Sequence, residues 1–175
     1  MKTNSDCPKN KEVEETVSHA IDSDLEDARQ KFEESKSTET YNNLGDLLLC
    51  NIIFFNRKRG GDVGAMTVED YEVGLKKSEE QEFAKKFLLV MVVGKRQRIN
   101  NVLVDQKNQH IMNLLHTNRQ LAEVENQFFF PRNNKTGYPE VSKILWEWRK
   151  KHNLKDVEVS ADLNLFTEPH NPKGT

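Results

Sequence analysis

The stretch from Tyr41 to Phe55 constrains this chain more than any other. Tyr41, Leu44, Leu48, Ile52 and Phe55 fall at spacings of 3, 4, 4 and 3, which is one face of a helix. Leu47, Leu49, Ile53 and Phe54 widen that face until the helix is apolar nearly all round. A helix of this kind belongs in the centre of a core, so the rest of the chain must supply the elements that enclose it. The material for doing so is limited. Of the 175 residues, 35% are apolar and 31% are charged, which allows one modest domain, or one small domain with a tail.

Thr38–Thr40 place hydroxyls where this helix begins. It ends at Asn56-Arg57-Lys58-Arg59-Gly60-Gly61-Asp62, where cations suit the negative end of the helix dipole and the Gly pair is expected to permit a left-handed exit. Thr67-Val-Glu-Asp70 resembles a capping box opening a short acidic helix through Glu82. Phe87–Val93 is a Val-rich apolar run too short for a core helix, and Ile99–Val104 follows a basic five-residue turn, Gly94-Lys-Arg-Gln-Arg98. The pair reads as an antiparallel β-hairpin. Asp105 is placed to cap a helix carrying Ile111, Leu114, Leu115 and Leu121 inward. Phe128-Phe-Phe-Pro131 reads as a short buried segment. Pro139, as a first helical residue, then opens a helix over 140–152 with Val141, Ile144, Leu145 and Trp148 on one face. Its other face offers Lys143, Arg149, Lys150 and Lys151. After Lys155 no convincing periodicity remains. The expected fold is α+β, mostly helical with one small antiparallel hairpin.

Charge divides the chain. Residues 1–40 carry 6 Lys/Arg against 11 Asp/Glu, whereas Phe83–Arg119 is +6 and Pro131–Lys155 is +5. Residues 1–39 are therefore read as an acidic, largely disordered leader, in which 22–34 form at most a short helix packed through Leu25, Ala28 and Phe32. Residues 40–163 form the folded core, and 164–175 are expected to be a loose tail. No run approaches the ~18 apolar residues of a membrane span, and no secretory signal region opens the sequence, so an intracellular protein is expected. Cys7 and Cys50 make neither a disulfide framework nor a zinc site, and His110 and His116 lie on different helix faces. Neither metal nor cofactor is expected.

The order of a buried helix, an Arg-rich turn, a short helix, a hairpin with a basic tip, a helix and Phe-Phe-Phe-Pro resembles the first half of the catalytic domain of tyrosine recombinases, the phage-integrase type. The likeness is closest to recombinase-like open reading frames of animal mobile elements. It runs from about Thr40 to Leu163. It places Arg59 on the family's first catalytic Arg, Asp62 on the acid three residues later, and Asp70 on the aspartate of a Leu-x-x-x-Asp segment. It places Lys95 on the catalytic hairpin lysine, 36 residues after Arg59. By resemblance, Arg59 is a phosphate clamp and Lys95 the acid that protonates a leaving 5′-oxygen. Arg57, Lys58, Arg96 and Arg98 would supply DNA contacts.

The later boxes of the family are missing. Asn164 stands where a second Arg is expected, His170 is followed at the third position by Lys173 instead of Arg, and Tyr41, Tyr71 and Tyr138 all precede the nucleophile's place. The resemblance thus implies a truncated core that no longer catalyses strand exchange but keeps affinity for duplex DNA, in the nucleus if that binding operates. Two other readings stand beside it: a small helical module whose basic face binds a protein, and an exon-limited fragment of an active recombinase.

Overall fold

A computed structural model describes residues 8–57, 60–81, 86–94 and 97–154. The fold is α+β and mainly helical: α1 (Pro8–Glu34), α2 (Thr38–Asn56), α3 (Gly60–Gly64), α4 (Val68–Glu79), β1 (Phe87–Val93), β2 (Ile99–Asp105), α5 (Gln106–Thr117), a 3-10 turn (Arg119–Ala122) and α6 (Val141–Lys151). As expected, α2 sits at the centre, with Leu44, Leu48, Ile52 and Ile53 fully buried and α1, α5, α6 and the hairpin packed around it.

The largest departure from expectation lies in the leader. Residues 8–34 are one long helix, antiparallel to α2, instead of a disordered segment with a short helix at its end. Val17, Ile21, Leu25, Ala28 and Phe32 recur once per turn, and all are buried. A stripe one residue wide reads as polar by composition, yet it suffices when the partner helix is apolar on every side. Phe32 meets Tyr41 edge-on, with ring centroids 6.3 Å apart, across the short link between the helices.

The helix ends follow local chemistry with two corrections. Ser37, one residue ahead of the expected hydroxyls, is the N-cap of α2: its hydroxyl accepts from the Thr40 N–H while Thr40 Oγ1 accepts from the Ser37 N–H. The left-handed exit of α2 is made by Arg57 (φ 51°), not by the glycine pair. Gly60 and Gly64 serve close packing instead. A Cβ on Gly64 would stand 2.6 Å from Val141 Cγ2, and one on Gly60 would crowd Val141 Cγ1 still more. Helix α3 can therefore lie directly against the start of α6. Pro139 is buried just ahead of that helix and Glu140 is its N-cap, so the proline precedes the helix without opening its first turn. The Thr67–Asp70 box and the Asp105 cap form as expected, the latter through Asp105 Oδ1 accepting from the Asn108 N–H at 2.9 Å.

The hairpin pairs Phe87 with Asp105 through to Val93 with Ile99. Gly94 N–H donates to Arg98 O at 2.8 Å to close the five-residue turn, and Gln97 adopts the left-handed conformation (φ 59°). Leu88, Val90, Val92, Val102 and Val104 point into the core. The opposite edge of β2 is held by Asn56, whose side-chain amide mimics a peptide: Nδ2 donates to Leu103 O and Oδ1 accepts from the Leu103 N–H, each at 2.8 Å. A second polar link runs through the interior, from Asn108 Nδ2 to Asn51 Oδ1 (2.9 Å) and from Asn51 Nδ2 to Asp22 Oδ1 (2.8 Å). It ties α5, α2 and α1 into one register, because mispairing would leave these amides buried without partners.

Candidate nucleic-acid interface

Two turns carry the sequence-predicted site: the exit of α2 and the tip of the hairpin. Their flanks meet. Asp62, in α3, lies so close to Gly94 that a Cβ there would be 3.0 Å from Asp62 Oδ1 and 2.8 Å from Asn100 Nδ2. The side chains of Asp62 and Asn100 thus close over Gly94, and the chain leaving α2 comes against the point where β1 enters its turn. Lys58, Arg59, Lys95 and Arg96 lie outside the described residues.

The remaining predicted residues are placed individually. Arg57, at the left-handed exit, turns toward α1 and pairs with Glu14 at 3.1 Å, both side chains remaining largely in water. Such an exposed pair contributes about 0–1 kcal/mol and yields readily to a competing anion. Arg98 contributes the carbonyl that closes the hairpin turn, and its residue surface is exposed. Asp70 has a structural assignment: Oδ2 accepts from the Thr67 N–H at 2.9 Å, completing the cap of α4.

Several cations in the two basic segments are engaged inside the fold. Arg119 donates to the carbonyls of Asn126 (2.6 Å) and Phe129 (3.4 Å), bracing the loop around Phe128. Lys107 pairs with Asp22 at 3.1 Å, Arg132 with Asp46, and Lys151 with Asp24 at 3.7 Å. Arg149 Nε donates to Leu154 O, and Lys150 lies over the Trp146 ring. Net charge along the sequence therefore overstates the cations offered outward. Sequence reading missed these partners because each acid or carbonyl is remote in the chain or sits on neutral backbone.

The chemistry of the other reactive groups is muted. Tyr41 and Tyr71 are 4% and 1% exposed, and burial pushes both phenols above their ordinary pKa. Tyr138 is half-buried, edge-on to Phe128 at 5.0 Å. Burial also pushes the Cys50 thiol well up, with the nearby Asp46 charge adding to it. Asp24 is raised by burial but held below its ordinary value overall by hydrogen bonds from His152 (2.7 Å) and Trp148 (3.0 Å) and by the Lys151 charge. Among the described residues no group of three or more His, Cys, Asp or Glu is placed to hold a metal ion, and no helix is long and apolar enough to cross a membrane. No protein-family model, curated protein or solved structure matches this chain.

Proposed function

We propose that this chain is a partial tyrosine-recombinase-like core that binds duplex DNA through its two basic turns without cleaving it, and that it acts in the nucleus. The contact between Asp62 and Gly94 carries this reading, since it brings the flanks of the Arg59 turn and of the Lys95 tip together. Residues 57–59 and 95–98 hold six Lys/Arg. Cations carried by two turns whose flanks touch would suit a phosphate backbone. Arg59 and Lys95 are its vestigial catalytic pair. Covalent strand transfer also needs an exposed nucleophile, whereas Tyr41 and Tyr71 are buried.

The test is binding of a labelled duplex between ~50 and 200 mM salt, with Arg59→Ala as control. If four to six of these cations meet phosphates, the log–log salt slope is about −4 to −5. Arg59→Ala flattens it by close to one. Nicked suicide substrates should trap no covalent adduct, and Tyr138→Phe should change nothing. A covalent adduct refutes the non-cleaving reading. Absence of binding at ~50 mM salt refutes DNA binding and favours the protein-interaction module.

A further inference from the structure

The hairpin is apolar on both faces, and among the described residues only the inner face is covered. On the outer face Leu89 pairs across the strands with Leu103, and Val93 with Ile99. With Val73 of α4 these four line a groove of about 500 Å³, and the five are between 38% and 63% exposed. Counting ~150 Å² for each, the low end for a large side chain, their exposures leave about 350–400 Å² of apolar surface open. A patch of that size on a monomer is often functional.

We propose that this face is the interface of a homodimer, on which a second copy of the chain packs about a two-fold axis. The face is self-complementary, which is what a two-fold requires. Glu69, Val73 and Lys77 recur every four residues along the groove side of α4. An acid and a base therefore lie about 12 Å apart along the helix with a valine midway. Two such helices laid antiparallel, Val73 on Val73, set Glu69 of each copy opposite Lys77 of the other. The same axis serves the strands. A Cβ on Gly74 would stand 2.9 Å from Leu89 O and 3.6 Å from Val90 Cα, so Val73 lies near the level of the Met91–Asn101 pair. Rotation about that level exchanges the Leu89–Leu103 pair with the Val93–Ile99 pair, apolar upon apolar. It also brings Asn101 against its own copy, where each carboxamide donates to and accepts from the other.

The area is sufficient. Face-to-face contact removes about 700–800 Å² from the five apolar side chains of the two copies together. The exposed Glu69, Lys77, Gln81 and Asn101 carry the total past ~1,000 Å², the threshold for a specific interface. An interface of that size holds a reversible dimer, with a dissociation constant in the micromolar range. A purely apolar partner would cover the valines and leucines but leave Asn101 buried without a bond. A second copy meets the apolar pairs, the amide and both charges at once. The antiparallel arrangement also carries the two hairpin tips, each with an exposed Arg98, about one strand length (~23 Å) apart. Dimerisation uses none of the cations assigned to DNA.

Sedimentation velocity of the full chain without DNA, from ~1 to ~500 μM, measures the assembly. The expected result is a monomer–dimer equilibrium with its midpoint in the micromolar range. Ile99→Asp, at a residue 63% exposed, should leave a monomer at every concentration with far-UV circular dichroism unchanged. Glu69→Lys sets like charges opposite Lys77 at both ends of the helix pair and should weaken the dimer about tenfold or more. Lys77→Glu should do the same, and the double exchange Glu69→Lys/Lys77→Glu should restore the dimer. Lys76→Glu makes the same charge change outside the groove and should not weaken it. A monomer throughout the range overturns the proposal, and so does a dimer that Ile99→Asp leaves intact. Weakening by Lys76→Glu equal to that of Lys77→Glu, or a double exchange that restores nothing, overturns the two-fold arrangement. The charge exchanges lie on the helix surface and decide the matter even if Ile99→Asp misfolds.

Discussion

Replacing Gly64 with alanine tests how the Arg-bearing turn is anchored. In a helix far from other elements this change is favourable by about 1 kcal/mol, because alanine restricts the unfolded chain and favours helix. Here the added Cβ would stand 2.6 Å from Val141 Cγ2, with Pro139 O at 3.7 Å behind it. No real Cβ tolerates the first distance, so α3 must lift from α6 or Val141 must leave its rotamer. Overpacking of this kind costs about 1–3 kcal/mol, which set against the propensity gain of about 1 leaves a net loss of up to about 2 kcal/mol. Val141 is 6% exposed, and Val141→Ala alone should lose about 1–2 kcal/mol through the vacated space. Together the two substitutions should fall short of the sum of their separate losses by about 1–2 kcal/mol, because removing the valine methyls makes room for the new one. Urea unfolding of the four proteins of this cycle, followed by tryptophan fluorescence, measures the coupling. A neutral or stabilising Gly64→Ala, with losses that simply add, would show that α3 does not rest on α6 and would remove the support assigned to the Arg59 turn.

Phe32→Ala should destabilise the whole domain by about 3–5 kcal/mol, because the ring is fully buried under α2; a loss below about 1 kcal/mol in urea unfolding would return residues 8–34 to the status of an unpacked leader. Asn56→Ala removes both bonds to Leu103 and should cost about 1–2 kcal/mol, with faster hydrogen exchange at the Leu103 amide as its local signature and unchanged exchange there as the refutation. Asp46 gives a pH dependence. Burial, opposed by Arg132, lifts its carboxyl from 3.8 to about 6, so between those values the folded state holds a proton that the unfolded state has released. Its contribution to stability is therefore greatest below the unfolded value and is lost as pH rises through 6. Because a third of the side chain still meets water, the slope is damped, and Asp46→Asn should flatten it; parallel urea midpoints for the two proteins from pH 4 to 7 would refute the assignment.

How much could be read without the structure depends on the range of the forces involved. The central helix, the two strands with their turn, and the caps at Thr67 and Asp105 were legible because each is decided by side chains within a few residues of one another. An all-round apolar helix has one place to go, and Val-rich runs on either side of a polar turn have one economical pairing. The first half of helix α1 reads as disorder, and its second half as no more than a short helix, for the opposite reason. Its stripe of Val17, Ile21, Leu25, Ala28 and Phe32 supplies one apolar residue per turn, and its value exists only against α2.

Spatial contact also decided matters that local spacing pointed the wrong way. The pair Gly60-Gly61 looks like a helix terminus in the sequence, yet Gly60, with Gly64, makes room for Val141, far along the chain, while Arg57 takes the strained backbone. Asn56 and Leu103, or Asn51 and Asn108, give no sign of partnership in the sequence. Their pairing follows only once the fold brings the groups together, the Asn51–Asn108 bond inside the protein and the Asn56–Leu103 bonds at its surface. The basic segments were visible as composition, but Asp22, Asp24, Asp46 and several carbonyls engage many of those cations within the fold. The chain by itself set what each segment prefers to be. Which charges, glycines and apolar faces remain available was decided by packing, because availability is a property of neighbours and not of the residue.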